Sequence, residues 1–305
     1  MGTPEFARVI LAALHATNDY DIVAVVAQPD KAVGRSGKLT PPPVAEFAQT
    51  HALTLLQPAK IRVPQVLAEI QDFKPDVIVV AAYGKILPDE VLKAARVDII
   101  NVHASLLPKY RGASPISEAI INGDNETGVA IMRVVEALDA GPIYAEARIP
   151  ISDDDDTATL TTKLSKLGAE TLCKILPLIL SGKISPQEQN HAQATHVGKL
   201  TKELSPIDWT TPARNIFNKV RALVPWPVAE TTLDAQRIQI YKCRDIAGST
   251  RGRAGEVLHL GQEGWTIATG SGQLLVTEVQ VPGKKRMRAF DAANGLRLKT
   301  GMILR

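Results

Sequence analysis

Cysteine is almost missing from this sequence: 305 residues contain two, Cys173 and Cys243. They match neither a metal-ligand spacing nor a C-x-x-C redox pair. Both thiols are therefore expected to be buried or idle in a reducing compartment, the cytoplasm. No apolar run approaches the ~20 residues needed to cross a bilayer. No basic segment followed by an apolar core opens the chain, so no secretory signal is expected. G-x-G-x-x-G after a strand and G-x-x-x-x-G-K-[ST] are both absent, which leaves nucleotide binding by those loops without support. H-E-x-x-H is absent as well, and no metal is expected. His191 and His196 fall in a polar stretch and read as linker residues rather than ligands.

What remains has the proportions of a soluble globular chain, 45% hydrophobic and 22% charged. Its length suggests two domains. Net charge is only +3, but it is unevenly spread. Residues 206–305 hold 15 Lys/Arg against 8 Asp/Glu, whereas the preceding 205 residues hold 20 against 24. A basic module joined to a slightly acidic one points to a polyanionic partner for the former.

The hydrophobic pattern changes along the chain. Thr3-Pro4 reads as an N-cap with Pro at the first helical position, followed by helical spacing from Phe6 to Leu14. Ile22–Ala27, Val77–Ala82 and Asp98–Val102 are β-branched runs, as in strands buried on both faces. Helical patterns lie between them, at Val44–His51, Pro64–Phe73 and Pro88–Ala95, with Gln28–Pro43 as a loop and Leu53–Leu56 as a short strand. This alternation predicts an α/β domain, a Rossmann-like open, mostly parallel sheet with helices on both faces. Two further strands, Thr127–Val135 and Ile143–Ile151, precede a helix over Thr157–Leu180. Such a sheet normally starts with a buried strand ahead of its first helix; here the chain opens at Met1-Gly2-Thr3-Pro4, already at the turn, and a short upstream extension is expected. After a helix near Pro212–Leu223, short strands separated by Gly-rich turns (Ile238–Tyr241, Gly255–Leu258, Trp265–Ala268, Leu274–Val279) predict a small OB-like β-barrel. The expected domains are 1–183 and 205–305, joined by a polar linker over 184–204. Trp209 and Trp226 read as packing residues, the latter at a rigid corner between two prolines.

The richest stretch is NVHASLLPKYRGASPI, Asn101–Ile116. It begins at the carboxyl end of a predicted strand, where open α/β sheets place their ligand crevices. Alternation puts Asn101 and His103 on one face. An amide donor beside an imidazole suits a carbonyl carbon turning tetrahedral, with Asn donating to the oxyanion and His handling a proton. Asp139, in a turn between two strands, would orient the ring if the fold brings it close; sequence leaves that open.

Asn101, His103 and Asp139 match the three catalytic residues of the formyltransferase superfamily that uses 10-formyltetrahydrofolate, and Ser105–Gly112 (SLLPKYRG) resembles its signature. More narrowly, the chain resembles the methionyl-tRNA formyltransferase family. The motifs MGTPEFA (Met1–Ala7), QPD (Gln28–Asp30), TPPPV (Thr40–Val44), AAYGKILP (Ala81–Pro88), INVHASLLP (Ile100–Pro108), IDW (Ile207–Trp209), PWPVA (Pro225–Ala229) and PGKKRM (Pro282–Met287) occur in order across both expected domains. Pro142 departs from the family, which commonly has Asp there; Asp139 itself is intact.

The resemblance implies a cytoplasmic enzyme that moves a formyl group from 10-formyltetrahydrofolate to the amino group of methionyl initiator tRNA. Asn101 and His103 would polarise the formyl group, and Asp139 would orient and charge His103. Ser105, Leu106, Leu107 and Pro108 would contact the folate. Lys31, Arg35 and Lys38 would lie on a loop, made pliable by Gly34 and Gly37, that grips the acceptor stem. Lys284, Lys285, Arg286 and Arg288 would contact phosphates, which position RNA without reading its sequence. No membrane partner is implied, and a monomer is expected. The alternatives are a formyltransferase for a small amine such as glycinamide ribonucleotide, which the basic tail disfavours, and a catalytically idle RNA-binding protein, which the intact triad disfavours. A hydrolase releasing formate from the folate is a third.

Overall fold

The β-branched runs and the Gly-punctuated tail become two separate units. In a computed structural model, residues 1–33, 37–246 and 252–305 are described. One unit comprises residues 1–115, 126–150 and 161–197; the other comprises 116–125, 151–160 and 198–305.

The first unit contains helices α1 (Glu5–Thr17), α2 (Pro43–Thr50), α3 (Pro64–Asp72) and α4 (Asp89–Leu92). Its strands are β1 (Val25–Val26), β2 (Lys31–Val33), β3 (Lys38–Thr40), β4 (Leu55–Leu56), β5 (Val77–Val80), β6 (Asp98–His103), β7 (Arg111–Gly112), β8 (Glu126–Arg133), β9 (Ile143–Pro150) and β10 (His196–Val197). Two further helices, α5 (Pro115–Ile121) and α6 (Thr157–Leu180), begin in or beside segments grouped with the second unit. The main sheet runs β5-β6-β8-β9, with β5 parallel to β6 and the last two strands antiparallel. Ile99, Ile100 and Val102 of β6 are buried, as expected for a strand covered on both faces. Asp98, at the start of β6, accepts from Arg133 Nε of β8 (2.8 Å) and from the Tyr144 hydroxyl of β9, which fixes the register of three strands.

The strand expected over Ile22–Ala27 forms only at β1, which pairs in parallel with β4. Between β1 and β5 run Met1 and Gly2. Met1 N lies 2.6 Å from Val79 O, Ala81 N donates to Met1 O (2.9 Å) and Gly2 N donates to Val26 O (3.0 Å). Beside them is a cavity of about 520 Å³, lined by apolar residues such as Ile10, Val25 and Leu176 and by charged ones, Asp19, Lys74 and Asp76. Met1 and Gly2 thus join β1 and β5 through backbone hydrogen bonds. Thr3 is not the N-cap expected: its hydroxyl donates to Tyr83 O (3.1 Å), and Pro4 takes the cap position.

The polar stretch expected as a linker is ordered for most of its length. Gln187 exchanges backbone hydrogen bonds with Ile143 (2.7 and 2.8 Å), and β10 pairs in parallel with β7. Residues 184–197 therefore pack with the first unit.

In the second unit α7 (Ala213–Ala222) precedes β11 (Ala229–Leu233), β12 (Gln236–Ile246), β13 (Val257–Gly261), β14 (Gly264–Ala268), β15 (Gln273–Gln280) and β16 (Met287–Arg288), and α8 (Ala289–Leu296) follows. The antiparallel order is β11-β12-β15-β14-β13, with β16 on β15. Residues 302–305 bridge its two edges. Val257 N donates to Met302 O (2.8 Å) and Leu304 N to Gly255 O (2.8 Å), while Thr232 and Arg305 exchange backbone bonds (2.7 and 2.9 Å). That closure gives a small barrel-like domain. Irregular register near Lys242 bends the long β12. Trp209 is buried and donates to Thr231 Oγ1 (3.0 Å), whereas Trp226 is half exposed. Helix α8, which packs Ala289 and Ala292 into the core, was not expected from sequence.

Candidate active site

β6 delivers Asn101 and His103 to its carboxyl end, two residues apart and so on one face. His103 is buried. Its Nε2 lies 3.0 Å from Tyr110 O. A carbonyl can only accept, so Nε2 carries a hydrogen and Nδ1 is the nitrogen left to act. Nδ1 lies 3.7 Å from Asp139 Oδ2, both side chains being largely buried at 7% and 13% exposure. That separation is an ion-pair distance and too long for a hydrogen bond, the loose geometry common before a substrate closes a site. Asn101 is half buried, and among the described residues no protein group takes its side-chain amide, which leaves it able to donate to a ligand.

Asp139 stands in the turn between β8 and β9 with φ +49, a left-handed conformation that Asp tolerates. Its carboxylate is anchored by Gly112 N–H, 2.8 Å from Oδ2. Gly112 needs to be glycine: φ is +119, and a Cβ there would lie 2.2 Å from Val197 O of β10. Gly141 is equally constrained, since a Cβ would sit 2.0 Å from Arg133 O. Pro142, the departure noted in the sequence, is buried and accepts from Arg133 N at 2.9 Å.

The expected folate contacts differ among themselves. Ser105 is fully buried and donates to Lys109 O (2.7 Å), bracing the loop after β6. Leu107 is buried with Ala130 and Met132. Leu106 and Pro108 are only partly buried, and Leu107–Pro108 is a cis peptide.

Of the expected RNA contacts, Lys31 and Lys38 are exposed on a β2–β3 hairpin that replaces the loop read from sequence; Arg35 and Gly34 lie outside the described residues. Lys284, Lys285, Arg286 and Arg288 are all exposed in the barrel unit. Arg286 pairs with Glu278 and lies over the Tyr241 ring, 4.4 Å from its centre, and Arg288 pairs with Asp291 at 2.9 Å. Among the described residues, Lys284 and Lys285 make no ion pair.

Sequence reading missed a polar cluster behind Asp139. Arg111 and Gln189 are 5% and 6% exposed, and the guanidinium donates to Gln189 Oε1 from Nε (3.2 Å) and Nη2 (2.7 Å). Arg111 Nη2 also lies 2.9 Å from His191 Nδ1. The sequence signals are faint: the RG of Ser105–Gly112, and a Gln in a polar stretch with the composition of a linker.

Comparison with known proteins matches this geometry to a family. The formyl transferase family matches residues 1–176, and the formyl transferase C-terminal domain family matches 199–297. The methionyl-tRNA formyltransferase of Bacillus subtilis (strain 168) is 41% identical over 305 residues, covering all of this chain and 96% of that protein. The protein of the same name from Streptococcus equi subsp. zooepidemicus (strain H70) is 45% identical over 306 residues, covering 100% and 97%. Among solved structures, the sugar 3N-formyl transferase WlaRD, determined with dTDP and 5-N-formyl-THF, aligns with a TM-score of 0.69 at 17% identity, covering 93% of this chain and 97% of that one. HypX from Aquifex aeolicus with tetrahydrofolic acid aligns at 0.60 and 20% identity, covering 81% and 43%. These structures share the fold; the full-length relatives and both matched domains settle the lineage. The chain belongs to the methionyl-tRNA formyltransferase family.

Proposed function

We propose that Asn101, His103 and Asp139 carry out the family's reaction in this chain, transfer of a formyl group from 10-formyltetrahydrofolate to the α-amino group of methionyl initiator tRNA. The observation that carries the reading is the approach of Asp139 to Nδ1 of His103 beside an unengaged Asn101 amide at the end of β6. The neutral methionyl amine attacks the formyl carbon and a C–N bond forms. Asn101 donates to the oxygen that becomes an oxyanion, and His103, protonated on both nitrogens, lends its Nδ1–H. Asp139 balances the imidazolium and keeps its ring in plane. The bond from the formyl carbon to N10 then breaks, the amine nitrogen gives up a proton, and N10 gains one, so charge and atoms balance.

Leu106 and Pro108, partly exposed beside β6, are the residues of the signature best placed to touch the folate, with Ser105 and Leu107 shaping the loop beneath. Lys31, Lys38, Lys284 and Lys285 supply phosphate contacts; the excess of basic residues after position 206 favours tRNA over a small amine as acceptor. The chain would work as a cytoplasmic monomer.

Formylation of methionyl initiator tRNA by Asn101→Ala, His103→Ala and Asp139→Ala tests the reading. Each should lose at least ~10²-fold in kcat, the usual cost of removing one donor or its partner from a tetrahedral intermediate. Full activity in Asp139→Ala would remove its assigned role.

A further inference from the structure

Formyl transfer by His103 needs the Asp139 carboxylate held against the ring, yet the turn that bears it is open to solvent. Glu136, Ala137 and Leu138 are exposed, and Asp139 itself is in the left-handed region. Among the described residues its carboxylate takes one hydrogen bond, from Gly112 N–H. Besides the turn's own bonds, Ala140 N to Ala137 O (3.2 Å) and Arg133 N to Pro142 O (2.9 Å), its backbone is held from fifty residues further along the chain. Gln189 Nε2 donates to Asp139 O (2.9 Å) and to Gly141 O (2.7 Å), using both amide hydrogens to span the turn. The amide cannot be reversed. With Oε1 and Nε2 exchanged, an NH₂ would face the Arg111 donors and an oxygen would face two carbonyls.

Arg111 is the seat of this clamp. Among the described residues its partners are Gln189 Oε1 and His191 Nδ1, with no carboxylate. A buried guanidinium bonded to uncharged groups is costly unless its position is needed. Its neighbours in sequence show the need. Tyr110 O takes Nε2 of His103, and Gly112 N holds the carboxylate of Asp139. Three consecutive residues thus address the ring, the turn backbone (through Gln189) and the carboxylate. They are themselves set by the following segment: Tyr110 N donates to Thr195 Oγ1 (2.8 Å), Arg111 N to Thr195 O (2.8 Å), and β7 pairs with β10.

We infer that Gln189, seated by Arg111, is a positioning residue for the reaction, which sets the distance between Asp139 and His103 by clamping the backbone of the turn. The inference rests on the assignment of Asp139 and His103 to formyl transfer. Gln189 is buried with its amide spent on the turn, so its loss should act on kcat through misplacement, and an ångström of misplacement can cost about 10²-fold.

Gln189→Glu separates the clamp from packing. Glutamate has the same size and pairs well with Arg111, but it sets an oxygen against the two carbonyls. With a clamp, kcat falls at least ~10-fold while KM for both substrates stays within about twofold, and hydrogen exchange at the Gly112 amide accelerates relative to Val129 in the core of β8. Gln189→Leu is read in the same way should the glutamate variant unfold at the assay temperature. Wild-type kcat with unchanged Gly112 exchange in either folded variant, beside a strongly impaired Asp139→Ala, overturns the clamp alone. Wild-type kcat in Asp139→Ala overturns the assignment of the reaction instead, and Gly112 exchange then still reports whether Gln189 holds the turn.

Discussion

The chain gathers charge in two places that obey different physics. Around Asp139, every group has an address: one amide on the carboxylate, one carbonyl on the ring, one side chain on the turn. Around Lys284–Arg288 the cations are exposed, and two of the four are paired with neighbouring acids. Catalysis by the first region would work through position. In a low-dielectric interior a displaced dipole or charge loses most of its effect. Phosphate contacts from the second would work through field, which tolerates motion and is screened by salt over about 10 Å at 0.1 M. Substitutions in the two should therefore differ in size, in the kinetic constant they move and in their response to salt.

The sharpest way to break the positional side leaves every charge in place. Gly112→Ala adds one methyl where φ is +119 and Val197 O is 2.2 Å away. The backbone must move, and with it the amide on Asp139. Strain of this kind costs roughly 1–3 kcal/mol of stability, measurable by urea unfolding. Formylation should fall about as far as in Asp139→Ala, at least ~10²-fold. Activity within a few-fold of wild type would show that the carboxylate needs no fixed seat.

The field side should yield less, and differently. Lys284→Ala and Lys285→Ala should each raise KM for tRNA a few-fold at low salt with kcat unchanged, and each should reduce the slope of log affinity against log salt by about one. Arg286→Ala should do less, because Glu278 and the Tyr241 ring already engage that guanidinium. A fall in kcat, or an effect that persists at high salt, would contradict the distinction between position and field.

The same division governs what could be read from sequence. The β6 run, Asn101 and His103 are local: β-branched residues declare the strand, and its two-residue period puts both polar groups on one face. The Asp139–His103 meeting is not local, and only the fold supplies it. Gln189 was hidden more deeply. Its burial comes from tertiary contacts of a segment whose composition (Gln, His, Asn, Thr) is that of a loop, and short parallel pairing such as β7–β10 has no periodicity to announce it. β1 covers only Val25–Val26 of Ile22–Ala27 because a strand lasts only as far as its backbone finds a partner, here Leu55 and Leu56 of β4, whatever its propensity. The β2–β3 hairpin and α8 were missed for related reasons, one in a Gly-Pro-Lys segment and the other directly after a basic cluster.

The smallest effect expected tests whether ion pairs outside the site belong to the field class. Arg214 donates to Asp153 (Nη1 to Oδ2, 2.9 Å) and lies 3.5 Å from Asp245, all at least one-third exposed. The hydrogen bond from Arg214 holds the Asp153 carboxyl below its ordinary range. A carboxyl so lowered binds fewer protons folded than unfolded, so its contribution is present above the ordinary Asp value of about 3.9 and fades as pH falls through the lower folded one. Solvent screening limits that contribution to no more than about 1 kcal/mol. Arg214→Ala should therefore lose at most this much in urea unfolding at pH 7, with the gap to wild type narrowing below pH 4 and shrinking in 1 M salt. A larger loss, unaffected by acid or salt, would mean that Arg214 acts through its packing over the Phe217 ring, 5.0 Å away, and belongs with the positioned groups after all.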